Sequence, residues 1–220
     1  MPRIPLIATG LALTLLVAPG CERDADPLLC GDLAAGDLVI TEVRGGPSIT
    51  DNDGQWIELY NASAATIDLH GLALTIDTIG GGSHDRLLIR RPQQIVAGGY
   101  AVLGKFADTG RPAHVDVGWG TTPAIPRAGA IAISCGLDID RIVFTSLPDP
   151  AQVTDPPPND PAGAGHGTYA LGAMPPTATA NDDAGAWCAD GTETHSACSP
   201  DCIDIYKGSP KQPNPACPPP

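Results

Sequence analysis

Aromatic and charged side chains are both scarce in this chain of 220 residues, at 4% and 17% of the sequence. Basic residues are few beside the acids: 12 Lys and Arg stand against 25 Asp and Glu, for a formal net charge of −13. A surface that acidic repels phosphate backbones, so nucleic acid is not an expected partner. There is no heptad pattern, no Gly-X-Y period and no apolar run long enough to span a bilayer, which sets aside coiled coils, collagen-like rods and helical membrane proteins. Also missing are a G-x-S-x-G elbow, a Walker loop, a dinucleotide fingerprint and an H-E-x-x-H pair, the usual signs of the commonest enzyme classes. What the chain does have is 42% hydrophobic residues, enough for a core, together with 26 glycines and 24 prolines. That much Gly and Pro disfavours long helices and favours short strands joined by turns.

Residues 1–20 resemble a secretory signal. Arg3 provides the positive start, and residues 4–17 form an apolar stretch too short for a comfortable membrane span. Small residues then precede a single cysteine in Ala18-Pro19-Gly20-Cys21, similar to a bacterial lipobox, with Ala18 where Leu or Val is more usual. On this reading Cys21 becomes the lipid-modified N-terminus; the alternative is an ordinary signal cut nearby, with Cys21 in a disulfide and the protein secreted. Seven cysteines are present, so lipidation of Cys21 leaves an even set: Cys30, Cys135, Cys188, Cys198, Cys202 and Cys217. In an oxidising compartment these are disulfide candidates. Their spacing suggests Cys30 with Cys135 and the other four among themselves. A zinc site from Cys198, Cys202 and nearby His195 is the less favoured use.

Two textures follow. Over residues 37–145, short apolar runs such as Leu38-Val39-Ile40-Thr41-Glu42-Val43 and Ala130-Ile131-Ala132-Ile133 alternate with Gly-, Asn- and Asp-rich turns. Several runs have period two; Ile57 and Leu59 share one face of their strand, and Trp56, Glu58 and Tyr60 the other. Eight or nine such strands and almost no helical period indicate an all-β antiparallel sandwich. Residues 21–36 read as a tether, 146–165 as a Pro/Gly-rich linker, and 166–220 as a coil-rich, disulfide-stapled C-terminal extension.

The strand run at 38–43 and the segment Asp53-Gly54-Gln55-Trp56-Ile57-Glu58-Leu59-Tyr60-Asn61 resemble, in order, the opening strand and W-I-E-L-x-N signature of the lamin-tail domain. The segment 67–74 is similar to that family's D-L-x-G strand pair, with Leu72 where Trp is common, and 95–103 to its next strand, with Ala97 for proline. The closing strand corresponds to 139–144. Trp187 and Gly208-Ser209-Pro210-Lys211-Gln212-Pro213-Asn214 resemble a tail common in bacterial members, with Lys211 for glycine. The resemblance implies an immunoglobulin-like fold in which Glu42, Trp56, Glu58, Asn61, Asp68 and Gly71 are structural signature positions. It also implies a binding, anchoring or scaffolding module found alone or beside nucleases and phosphoesterases. A fold by itself transfers no chemistry.

Candidate sites are few. Asp51 and Asp53 begin a D-x-D-G run that could hold calcium, but the positions that complete an EF-hand loop are Gln55 and Ala62, so a tight turn is the plainer reading. Glu42 and Glu58, on neighbouring strands, could form a glycosidase-type carboxylate pair, although a role in the fold is favoured. The histidines are scattered, Ser83-His84-Asp85 is contiguous where a triad assembles through folding, and Asn61-Ala62-Ser63 matches a glycosylation sequon by pattern alone. The expectation is a non-enzymatic lipoprotein held at the bacterial envelope, at the outer membrane or periplasmic face. It would contact the membrane through its lipid, bind an envelope or extracellular protein, and use no cofactor. The alternative is an accessory or calcium-binding module of an extracellular hydrolase system, or a degenerate hydrolase.

Overall fold

β-branched and leucine-rich runs of five to seven residues, cut off by Gly, Asn and Asp, are too short for stable helices but the right length for strands. In a computed structural model these runs pair into sheets; it describes residues 30–45, 54–80, 82–145, 147, 168–190, 193–195 and 205–217. The strands are β1 (Leu38–Arg44), β2 (Trp56–Asn61), β3 (Ile67–Asp68), β4 (Ala73–Thr78), β5 (His84–Leu88), β6 (Gln94–Ile95) and β7 (Tyr100–Gly104). They continue with β8 (Val117–Gly118), β9 (Gly129–Ser134), β10 (Asp138–Phe144), β11 (Thr168–Leu171), β12 (Trp187–Asp190), β13 (Glu193–His195) and β14 (Ile205–Lys207). One short helix, α1 (Ala178–Asn181), starts at Thr177, whose side chain caps the Ala180 N–H.

One sheet has six strands in the order β12-β11-β1-β2-β7-β8, a second has four in the order β10-β9-β4-β5, and β13-β14 and β3-β6 form two-stranded pairs. All pairings are antiparallel except β7 with β8. A single apolar cluster draws on both main sheets, with Leu38, Ile40, Ile57 and Leu59 from one and Leu74, Ile76, Ile131 and Ile133 from the other. The molecule is thus an all-β, multi-sheet protein broadly of the immunoglobulin-like or β-sandwich kind. Trp56, on the opposite face of β2, joins a separate small cluster with Val102 and Val115. The period-two pattern of β2 therefore sorts its residues between two environments.

Two departures from the sequence reading concern pairing. The run 114–117 is mostly turn, with Val117–Gly118 forming a short strand against β7 and the Asp116 N–H donating to Val102 O. The segment 166–220, read as coil-rich, contributes Thr168–Leu171 and Trp187–Asp190 to the main sheet, where β11 pairs with β1 and β12 with β11. Strands of four residues carry too little alternation to be recognised; what recruits them is the edge of β1, whose N–H and C=O groups need partners. A disulfide joins Cys30 to Cys135, tying the entry to β1 to the turn between β9 and β10, and another joins Cys188 in β12 to Cys217. Cys21, Cys198, Cys202, Asp51 and Asp53 lie outside the described residues.

Candidate functional site

Glu42 on β1 and Glu58 on β2 stand directly opposite each other in the strand register, beside a bulge between Ile40 and Glu42. Both are fully buried. They point away from the main apolar cluster, and the chain returns across them as a strap, residues 208–217. The Ser209 N–H donates to Glu42 Oε1 at 3.0 Å, and the Lys211 N–H donates to Glu58 Oε2 at 2.6 Å. Thr168 Oγ1 also donates to Glu42 Oε1, at 2.5 Å, and Thr41 Oγ1 to Glu58 Oε1, at 2.8 Å. The strap is anchored further by the Asn214 side-chain amide, which donates to the carbonyls of Thr41 (2.7 Å) and Leu171 (3.2 Å). Ser209 Oγ donates to Asp190 Oδ2 at 2.7 Å, and Lys211 Nζ meets Asp116 Oδ1 at 2.7 Å.

The strap's close approach depends on glycine. Gly208 has φ 148°, and a Cβ there would lie 2.7 Å from Glu42 Oε1 and 2.8 Å from Thr168. No side chain fits without displacing the carboxylate.

Burying two carboxyl groups side by side penalises their charged forms. Burial, more than any neighbour, raises the Glu42 pKa to about 7, while Thr168, Ser209 and the Trp56 indole pull it down and the Asp190 charge adds to the rise. Burial raises Glu58 well above the usual range, with the Glu42 charge the next cause. Both shifts favour the protonated forms, which accept strap hydrogen bonds at smaller cost than two buried anions. Chemically the pair is a buried proton-holding clasp, sealed from solvent.

A second buried polar knot sits across β1. Asp140 Oδ2 on β10 accepts from the Ile40 N–H at 2.7 Å and from Asn181 Nδ2 at 2.6 Å, and the Asn181 carbonyl accepts from Trp187 Nε1 at 2.9 Å. Burial raises Asp140 to about 6.

The remaining signature positions serve local geometry. Asn61 is buried, with its Nδ2 donating to Ala65 O and Ile95 O and its Oδ1 accepting from Ser63 N–H, so its amide nitrogen is engaged inside the fold. Asp68 Oδ1 accepts from the His70 and Gln93 N–H groups, both at 3.0 Å, and Gly71 has φ 89°, a backbone suited to glycine. Trp56 stacks edge-on against His114 at 4.9 Å and carries the Arg44 guanidinium 5.3 Å above its ring. His84 reaches Asp77 at 2.5 Å rather than building a triad with Ser83 and Asp85. Among the described residues, no group of three His, Cys, Asp or Glu side chains could hold a metal ion.

Sequence reasoning placed Glu42 and Glu58 on neighbouring strands as a possible pair and singled out the segment 208–214, but did not bring that segment onto the pair, and it missed Thr168, Asp190, Asp140 and Asn181. The capping role of 208–214 had one available signal, the run Gly-Ser-Pro-Lys-Gln-Pro-Asn itself. The other four residues are single polar side chains in short segments, without a pattern of their own. No protein-family model and no curated protein matches this chain.

Proposed function

We propose that this protein is an exported, lipid-anchored, non-enzymatic module of the lamin-tail, immunoglobulin-like type, serving protein binding, anchoring or scaffolding at the bacterial cell envelope. The observation that carries the reading is the sealing of Glu42 and Glu58 beneath the strap: the acidic pair best suited by its type to catalysis is committed to fastening the C-terminal segment to the sheet. Supporting it are the signal-like residues 1–20, the lipobox-like Ala18-Pro19-Gly20-Cys21 and the resemblance, in order, of the β1, β2 and strap sequences to the lamin-tail pattern. The test is cross-linking of the tagged full-length protein in its native envelope, with an unrelated lipoprotein and a Cys21→Ala variant as controls. The expected result is one reproducible partner absent from the unrelated lipoprotein and lost or depleted when Cys21→Ala releases the anchor. A blank sinks the dedicated-adaptor reading.

A further inference from the structure

The six-stranded sheet ends at β8 and the four-stranded sheet ends at β5. Between these two edges lies an open cleft of about 580 Å³. Its apolar lining includes Leu74, Leu87, Leu103 and Val117, with Trp119 beside them. The indole of Trp119 is held in place by donation to Pro123 O at 3.1 Å. Three arginines, Arg86, Arg90 and Arg91, line the same cleft and are exposed. Asp108 pairs with Arg91 at 2.9 Å; neither Arg86 nor Arg90 makes an ion pair among the described residues. In a chain of net charge −13, two such cations at one apolar cleft select for an anionic partner.

The backbone of β5 specifies what kind. The Ile89 N–H donates to Leu72 O and the Thr78 N–H to Ser83 O, which makes these hydrogen-bonded pairs of the β4–β5 ladder. Alternation along an antiparallel ladder then turns the N–H and C=O groups of His84, Arg86 and Leu88 outward from β4. Among the described residues no strand pairs with this side of β5, which leaves an edge that another extended chain can pair with. Period two also sorts the neighbouring side chains: Arg86 is on the exposed face and Leu87 on the face packed against the core. A strand added here would set alternate side chains against Leu87, Leu103 and Trp119, and the intervening ones beside Arg86.

We propose that the cleft between β5 and β8 is a docking groove for an extended partner segment that alternates apolar and acidic residues, which adds as a strand to the open edge of β5 and pairs its carboxylates with Arg86 and Arg90. The groove rests on the reading of this protein as a binding module, and names the chemistry of what it binds.

The probe is a fluorescein-labelled peptide, Val-Glu-Val-Asp-Val-Glu-Val, titrated with the full-length protein and followed by anisotropy. Controls are the same peptide with Lys at the acidic positions and the same peptide N-methylated at alternate residues, which blocks strand pairing. The acidic probe should bind, the two controls should not, and binding should weaken as salt rises. A doubly charge-reversed variant, Arg86→Glu with Arg90→Glu, should bind about tenfold more weakly or worse. Leu88→Pro removes one outward N–H while leaving the β4 ladder and both arginines in place, and should also abolish binding. Thermal unfolding of each variant checks that the fold is retained. Equal binding of the lysine or N-methylated peptide overturns the groove, as does absence of acidic-probe binding. So does a charge-reversed variant that self-associates without any change in peptide affinity, which would make the arginines guards of the edge only. If the peptide fails while envelope cross-linking still captures a partner, the groove falls and the module reading stands; if both are blank, both fall.

Discussion

At the residue scale, the strap's most informative position is Lys211, which holds φ 64° while its N–H meets Glu58 and its Nζ meets Asp116. An L residue in the left-handed region costs about 1 kcal/mol or somewhat more, and a half-exposed ion pair returns less than about 1 kcal/mol. Lys211→Ala should lose the pair and keep the strain, whereas Lys211→Gly should lose both. The glycine variant is therefore expected to be more stable than the alanine variant by about 1 kcal/mol, read from urea midpoints at constant slope. An alanine variant as stable as the glycine one would mean that the strap does not hold its left-handed turn in solution.

At the element scale, the strap and the sheet depend on each other. β1 is buried along its whole length, with the apolar cluster on one face and the strap on the other, so neither face faces water. The Cys188–Cys217 disulfide, spanning 29 residues of sequence, holds the end of the strap against β12. Closing a loop of that length removes unfolded-state entropy worth about 3.5 kcal/mol. The double variant Cys188→Ser with Cys217→Ser should lose stability of that order. Its amide exchange should quicken first at Ser209 and Lys211, whose N–H groups face the carboxyl pair, while β4 and β9 stay protected. Unchanged exchange at those two amides would show that the hydrogen bonds alone, and not the disulfide, retain the strap.

For the whole molecule, the buried acids and the buried histidine oppose each other in pH. Glu42, with a pKa raised to about 7, and Glu58 and Asp140, also raised, keep protons in the fold that the unfolded chain releases above the ordinary carboxylate range. Their contribution is complete below that range and is lost as pH rises, for Glu42 from about 4.5 to about 7. His114 acts in the opposite sense: burial lowers its pKa to about 4, so the unfolded chain gains a proton first and stability falls as pH drops below about 6.5. Above that point the raised acids act without it. Melting temperature should accordingly decline between about pH 6.5 and pH 8, and Glu42→Gln, which carries no charge to bury, should flatten the decline. A parent curve that is level or rising over this window would contradict a protonated pair.

Much of this was legible in the sequence because it is local. The alternation of Ile57 and Leu59 with Trp56 and Glu58 is set by the two-residue repeat of a strand, whatever it pairs with, and the all-β character follows from many such runs broken by Gly, Asn and Asp. Asn61 and Asp68 were expected to be structural, yet their partners Ile95 and Gln93 lie 34 and 25 residues away and were not legible. Tertiary structure alone decided the rest. Glu42 meets Glu58 only because a bulge in β1 sets that register, and Ser209 caps Glu42 from 167 residues away in the chain. β11 and β12 became strands because β1 had an edge to fill, and the cleft lies where, among the described residues, the edges of β5 and β8 have no further strand beside them. Hydrogen-bonding demand at a strand edge is the same for every sequence that can lie beside it, so no local pattern states which segment will come.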